Sequence, residues 1–411
     1  MSLSRRDLLK GVLASSALAL WPKNAVTAML APLGAGPRKL VLVDLKGGND
    51  GLNTVVPHGL AGGSYLTEFR PTIGVNSAAA LPLAAGIGLH PNMTGLKTHF
   101  DAGRLAIVQG VHYPEPSFSH EFSERVWQTG DPSALSTAGW LGRHLATQPP
   151  PTTPDTVSVS GTSSLLVTGS GGFTPAFKQL ESFTFPVDSW HQSDGGNRRA
   201  AFTAIASSLT GGGGDLAAMA DTSLGLLDLI DLFATVPEFN HVGLYPDTYV
   251  AKSFQLVARL LAADVGMRSF YIPMGGFDTH ADQNLDDDHG QRLGRVSALI
   301  DALYTDLASF GLAQDTLFIV FSEFGRTVYE NGSGGTDHGT VNPVLLLGDA
   351  VQGGLVNEHP SMEPADLDEH GELPAQVDLR DVFGGVINDW LGGDAAAVFP
   401  GHALTPLPLL S

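Results

Sequence analysis

The chain contains no cysteine. That excludes disulfide cross-links, thiolate metal ligands and cysteine-based redox or nucleophilic chemistry. Charge is sparse as well. Only 16% of the 411 residues are Asp, Glu, Lys or Arg, and the basic share is the smaller, 22 against 42. The formal charge of -20 repels nucleic-acid backbones and anionic lipid, so neither is expected as a partner. The apolar run GVLASSALALW at 11–21 falls short of the roughly 20 residues that a membrane-spanning helix needs. What remains is ordinary for a globular protein: 43% hydrophobic residues, with 50 glycines and 26 prolines marking many turns and long loops. The length permits one large α/β domain with insertions.

The N-terminus carries SRRDLLK at 4–10, with Arg5-Arg6 ahead of Leu8 and Leu9, then the apolar run, then small residues at Val26-Thr27-Ala28. This resembles a twin-arginine export signal. It predicts a signal peptide over 1–28, a linker over 29–38 and a mature chain over 39–411. That chain would be periplasmic or secreted, with no transmembrane anchor once the signal is cleaved. Removing 1–28 takes away four basic side chains and one acid, which leaves the mature chain more acidic still.

Continuous β-branched and aromatic runs mark buried strands: KLVLVDL at 39–45, RLAIVQG at 104–110, RSFYIP at 268–273, TLFIVF at 316–321 and PVLLLG at 343–348. TVSVSG at 156–161 and LLVTG at 165–169 read as further strands. Helical patterns fall at about 118–128, at 289–310 and at 379–392. Residues 197–264 read mainly as helices, broken by the tetraglycine at 211–214, and are expected to form a helical insertion or cap. Strands alternating with helices predict a mostly parallel central sheet sandwiched by helices.

In such a sheet, functional side chains gather beyond the carboxyl ends of the strands. The segments after the predicted strands present Asn49/Asp50, Ser119/His120, Asp278/His280, Glu323/Arg326 and Asp337/His338. Carboxylate oxygens and imidazole nitrogens in one place suit one or two divalent ions, with zinc, manganese, calcium or iron as candidates. Each residue also has a plainer reading. Asp50 in N-D-G and Asp337 form turns, Ser119 caps a helix, His120 is solvated and Arg326 serves a surface ion pair. Convergence after successive buried strands favours the functional reading of the set.

GGNDGLN, SFSHEFSERVWQTG, GGFDTHADQ, SEFGRT and GTDHG, in this order behind a twin-arginine signal, resemble the exported bacterial family called domain of unknown function 1501. More distantly, the chain resembles the alkaline phosphatase and sulfatase superfamily, whose members hydrolyse phosphate or sulfate esters at a one- or two-metal site. That resemblance implies an alkaline-phosphatase-like sheet. It implies Asp50, Asp278, His280, Glu323 and His338 as metal ligands, and Asp337, beside His338, is a further candidate. The nucleophile's register, counted back from Thr129-Gly130, falls on His120, with Ser119 one residue away. Two departures stand out: His120 occupies the nucleophile's place, and Glu323-Phe324 stands where the superfamily has an Asp-His pair.

The expectation is therefore an exported metal-dependent hydrolase of phosphate or sulfate esters or a related anionic substrate, small or polymeric. His120 would be nucleophile, ligand or general acid, and Arg326 would clamp an anionic oxygen. The alternative is a non-catalytic exported binding module on a degenerate version of the same fold. A mutase-like transfer is a third possibility. A twin-arginine redox enzyme is disfavoured by the absent cysteines and by GGNDG, which is not a dinucleotide fingerprint.

Overall fold

The structure, a computed structural model, describes residues 37–59, 65–84, 86–149, 154–169, 174–186, 194–285 and 288–410. The predicted signal peptide, 1–28, and most of the predicted linker, 29–38, lie outside these residues. At the centre is an eight-stranded sheet. Its strands are β1 (Lys39–Lys46), β5 (Leu105–His112), β6 (Thr156–Ser158), β7 (Ser269–Gly275), β8 (Thr316–Phe321), β9 (Asn342–Leu347), β10 (Gly354–Val356) and β11 (Val377–Asp378). The order across the sheet is β10-β5-β9-β8-β1-β7-β6, and β11 also pairs with β5. The remaining strands, β2 (Val55–Val56), β3 (Leu81–Ala84) and β4 (Ile87–Leu89), form a small antiparallel sheet.

β1 lies parallel to both β7 and β8, while β9 runs antiparallel to β5 and β8. The mostly parallel sheet sandwiched by helices is thus as the sequence predicts. The antiparallel β9 matters for the site. Its N-terminal end lies at the same edge of the sheet as the carboxyl ends of β1, β7 and β8, so the loop that precedes it joins the loops that follow them.

Alternate residues of β1 point to opposite faces, as strand geometry requires. Val41, Val43 and Leu45 pack with Phe270, Ile272 and Met274 against the helices Ala251–Ala262 and Asp288–Ser309. Leu40 and Leu42 pack with Tyr271, Leu317 and Ile319 against the helices His120–Thr129, Trp140–Ala146 and Leu379–Gly385. Both faces of the sheet are covered, which explains why these strands read as unbroken apolar runs.

Residues 195–209, 214–234 and 251–262 are helical, with the tetraglycine at the first break. LLVTG is not a strand. Leu165–Val167 forms a 3-10 turn whose cap, Ser164, accepts from Leu166 N at 3.2 Å. The turn is wedged against the helix Trp140–Ala146, where Gly139 N donates to Thr168 O and Leu166 is fully buried. A capping serine outweighs the β propensity of three apolar residues. TVSVSG likewise pairs only over Thr156–Ser158.

Candidate metal centre

Two glycines let the chain leave β1. Gly47 and Gly48 have φ of 117° and 74°, and a Cβ at Gly47 would lie 2.4 Å from Asp278 N. Only glycine tolerates both the dihedral and the approach. The loop after β1 therefore lies directly against the loop after β7, which carries Asp278, Thr279 and His280. A third loop joins them: Thr336 N donates to Thr279 O at 3.1 Å, and Gln283 N to Gly334 O at 2.9 Å. This brings Asp337 and His338 beside the D-T-H segment. The helix His120–Thr129 begins at the same place, with Ser119 as its cap and Gly130 closing it in the left-handed conformation.

Four of the sequence candidates converge. The Nε2 atoms of His280, His338 and His120 lie 3.0, 3.3 and 3.5 Å from Asp278 Oδ1. His280 Nε2 is also 2.9 Å from His338 Nε2. Among the described residues, His120, Asp278 and His338 form a group that could hold a metal ion.

The opposite ring nitrogens show what charge this cluster needs. His120 Nδ1 lies 2.8 Å from Glu323 Oε1, His280 Nδ1 2.9 Å from Asp337 Oδ1, and His338 Nδ1 2.6 Å from Phe118 O. A carbonyl and two ionised carboxylates can only accept, so each Nδ1 carries the proton and donates it. In the neutral ring Nε2 is then a bare lone pair. Arg326 Nη1, which can only donate, lies 3.5 Å from His280 Nε2 and agrees with that tautomer. Three lone pairs and a carboxylate oxygen thus face one another, and the donor that reaches them is Arg326, which binds Asp278 Oδ1 and lies 3.5 Å from His280 Nε2 but leaves the His120 and His338 nitrogens without one. A cation satisfies all of them, and imidazoles whose other nitrogen is held by a carboxylate or carbonyl are the usual metal-ligand arrangement. The residues fit a divalent ion.

The remaining candidates have other partners. Glu323 is buried, and besides His120 its Oε1 accepts from Gly47 N at 2.8 Å. Burial would raise its pKa, but the His120 hydrogen bond and nearby backbone N–H groups bring it below its ordinary value. Asp337 also accepts from Asn331 Nδ2 at 3.2 Å, and its hydrogen bond with His280 lowers its pKa. Both carboxylates orient imidazoles rather than facing the cluster. Arg326 is fully buried and donates to Gly48 O at 2.6 Å, Thr336 O at 3.0 Å, Phe277 O at 3.2 Å, Gly47 O and Asp278 Oδ1. With its donors so engaged, it holds the three loops together and keeps Asp278 ionised against the cost of burial. Ser119 Oγ accepts from Phe122 N at 3.5 Å, the capping role.

Asp50 lies outside the cluster. Arg70 grips both its oxygens, at 2.7 and 3.2 Å, and Gln283 Nε2 donates to Oδ2 at 2.6 Å. Burial opposes its charge, but Arg70 prevails and brings the pKa down to about 2. The sequence reading missed Arg70. It sits alone in EFRPT, and no spacing links it to NDG. Phe324, where an imidazole was expected, packs its ring 4.7 and 4.9 Å from those of His338 and His120 and props them up.

Comparison with known proteins follows this geometry. Residues 243–392 match the family described as Protein of unknown function (DUF1501). The family read from the motifs is thereby borne out over the stretch holding GGFDTHADQ, SEFGRT and GTDHG. No curated protein matches the chain. Among solved structures it is similar to a PsFucS1 sulfatase from Pseudoalteromonas sp. (13% identity, 90% of this chain and 70% of that one, TM-score 0.38). It is also similar to a protein in the alkaline phosphatase superfamily from Vibrio parahaemolyticus (11%, 93% and 78%, 0.36). A third is the zinc complex of the C-terminal periplasmic domain of EcEptC from Escherichia coli (10%, 77% and 74%, 0.36). At these values the chemistry must be argued from this chain's own residues.

Proposed function

We propose that the chain is an exported, metal-dependent hydrolase of phosphate or sulfate esters or a related anionic substrate. The observation that carries this reading is the set of three bare imidazole nitrogens around Asp278, each imidazole held from behind. His120, His280, His338 and Asp278 would hold the ion. When bound, it would polarise the ester and lower the pKa of a bound water. The protein's part is to fix the ligands and keep them deprotonated. Glu323, Asp337 and the Phe118 carbonyl orient the rings, and Arg326 holds the Asp278 carboxylate in place. His120, facing the cluster, is a ligand in this reading rather than a nucleophile, and Ser119 is a helix cap. The attacking group is then water, not a side chain. Export follows from the twin-arginine segment, whose partner would be the corresponding export machinery. Among the described residues no helix is long and apolar enough to cross a membrane.

The test is hydrolysis of nitrophenyl phosphate and sulfate esters, including a phosphodiester, by the chelator-stripped chain before and after zinc, manganese, calcium or iron is added. Metal-dependent turnover is expected. It should be lost in His338→Ala, whereas Ser119→Ala should keep it and cost only about 1 kcal/mol of stability through the lost cap. Turnover abolished by Ser119→Ala would sink the water-attack reading. The binding-module reading is favoured by one feature, the full engagement of Arg326 within the protein. It predicts saturable anion binding without turnover in the metal-loaded chain.

A further inference from the structure

Four carboxylates at or beside the centre, Asp50, Asp278, Glu323 and Asp337, have partners fixed atom by atom. Glu323 Oε1 serves His120 and Gly47 N, and its Oε2 accepts from Ser322 Oγ at 3.0 Å. Asp337 Oδ1 serves His280 and Asn331. Asp50 Oδ2 serves Arg70 and Gln283, and its Oδ1 accepts from Arg70 and, at 3.4 Å, from Asn53 N. Among the described residues, only Asp278 turns an oxygen toward the imidazole Nε2 atoms.

Arg70 is as fixed as the carboxylate it grips. Both side chains are 0% exposed. Arg70 Nε donates to Val328 O at 2.7 Å and Nη2 to Thr327 O at 2.6 Å, so backbone carbonyls lock the guanidinium in place. A buried dication at Asp50 would have to displace or approach this cation in a site without water to screen the two.

Resting on the metal-binding reading above, we propose that the centre holds one divalent ion, and that Arg70 is the built-in counter-charge that removes Asp50 from the ligand set. The charges agree. Asp278, Glu323 and Asp337 are offset by Arg326 and one dication, while Asp50 is offset by Arg70. The arrangement also gives the N-D-G motif after β1 a role beside a His-rich centre that does not use its carboxylate. It anchors the loop through Arg70 and Gln283, whose Oε1 accepts from Thr279 Oγ1 at 2.9 Å and Thr336 Oγ1 at 3.1 Å.

The experiment titrates cobalt(II) into the chelator-stripped full chain, reading the visible absorption of the bound ion and, separately, zinc by calorimetry. The wild-type titration should break at one equivalent. Asp50→Asn/Arg70→Met, which removes the buried pair together and orphans neither charge, should keep one equivalent. Its affinity should stay within about threefold, because neither residue touches the ion. His338→Ala should lower affinity by at least about 100-fold, more than the 10- to 100-fold expected of an outer partner. Two equivalents in the wild type overturn the count and leave the metal reading standing. A folded double variant that loses its ion overturns the assignment of Asp50. A wild-type chain that takes up no ion overturns the count together with the reading beneath it. The wild-type count needs no variant, so a double variant that fails to fold does not remove the test.

Discussion

His120 and Glu323 set the pH at which the centre can fill. The hydrogen bond that His120 donates to Glu323, opposed by partial burial, raises the His120 pKa above its ordinary 6.5, whereas burial lowers that of His338. Without metal, the proton on His120 therefore stabilises the folded state below about 6.5, and that contribution fades as pH rises through the raised value. A metal ion needs the bare Nε2 and competes with this proton. Zinc affinity should thus fall as pH drops through the raised His120 value, by roughly tenfold per unit below it. In Glu323→Gln the fall should begin at lower pH, with affinity at pH 8 reduced about 10- to 100-fold because the ring loses its anionic partner. Competition with a chromophoric chelator across pH measures both; superimposable wild-type and variant profiles would contradict the link. At this scale the sequence was informative about which residue types assemble, and less so about their roles. His120, Asp278, His280 and His338 meet as a set. Asp50 was misread as a facing carboxylate because its fate depends on Arg70, twenty residues away in an otherwise uninformative segment. Arg326 reads as an anion clamp in SEFGRT because nothing local reveals three backbone loops waiting for its donors.

The loops around the centre carry a further buried acid. Glu372 precedes β11, is 7% exposed, and its carboxylate accepts a long hydrogen bond, 3.3 Å, from Val328 N. Burial, with Asp368 and Asp337 adding repulsion, raises its pKa to about 8. The unfolded chain releases this proton near 4.3. Between the two values the folded state binds more protons than the unfolded one, so this group erodes stability as pH rises. Glu372→Gln keeps the acceptor without the charge. It should melt above the wild type at pH 8, with the gap closing toward pH 4. Thermal melts of both proteins across that range decide it, and a gap independent of pH would contradict the assignment. Elements themselves were largely legible, because β1, β5, β7, β8 and β9 are buried on both faces and leave continuous apolar runs. LLVTG failed because a serine cap and packing against a neighbouring helix decide its conformation. The antiparallel direction of β9 was not legible, since a buried strand has the same composition in either direction. That direction is what delivers Asp337 and His338 to the edge that holds the histidine cluster.

Taken whole, the protein is an acidic molecule that brings three of its 14 histidines together at one sheet edge and backs two of them with carboxylates. The two glycines after β1, the D-T-H turn after β7 and the T-D-H-G loop before β9 interlock through backbone hydrogen bonds. The ligands are therefore preorganised by the fold, and their removal should empty the centre without unfolding the sheet. The sequence conveyed the fold class and the convergence of loops; the charge pairing that divides ligands from supports emerges only in three dimensions. The direct test is elemental analysis of the chain, purified without chelator, alongside Asp278→Ala/His280→Ala. The account predicts a bound divalent ion in the former and none in the folded double variant. A folded wild-type chain that is metal-free and takes up no added ion, or a double variant that keeps its metal, would contradict it.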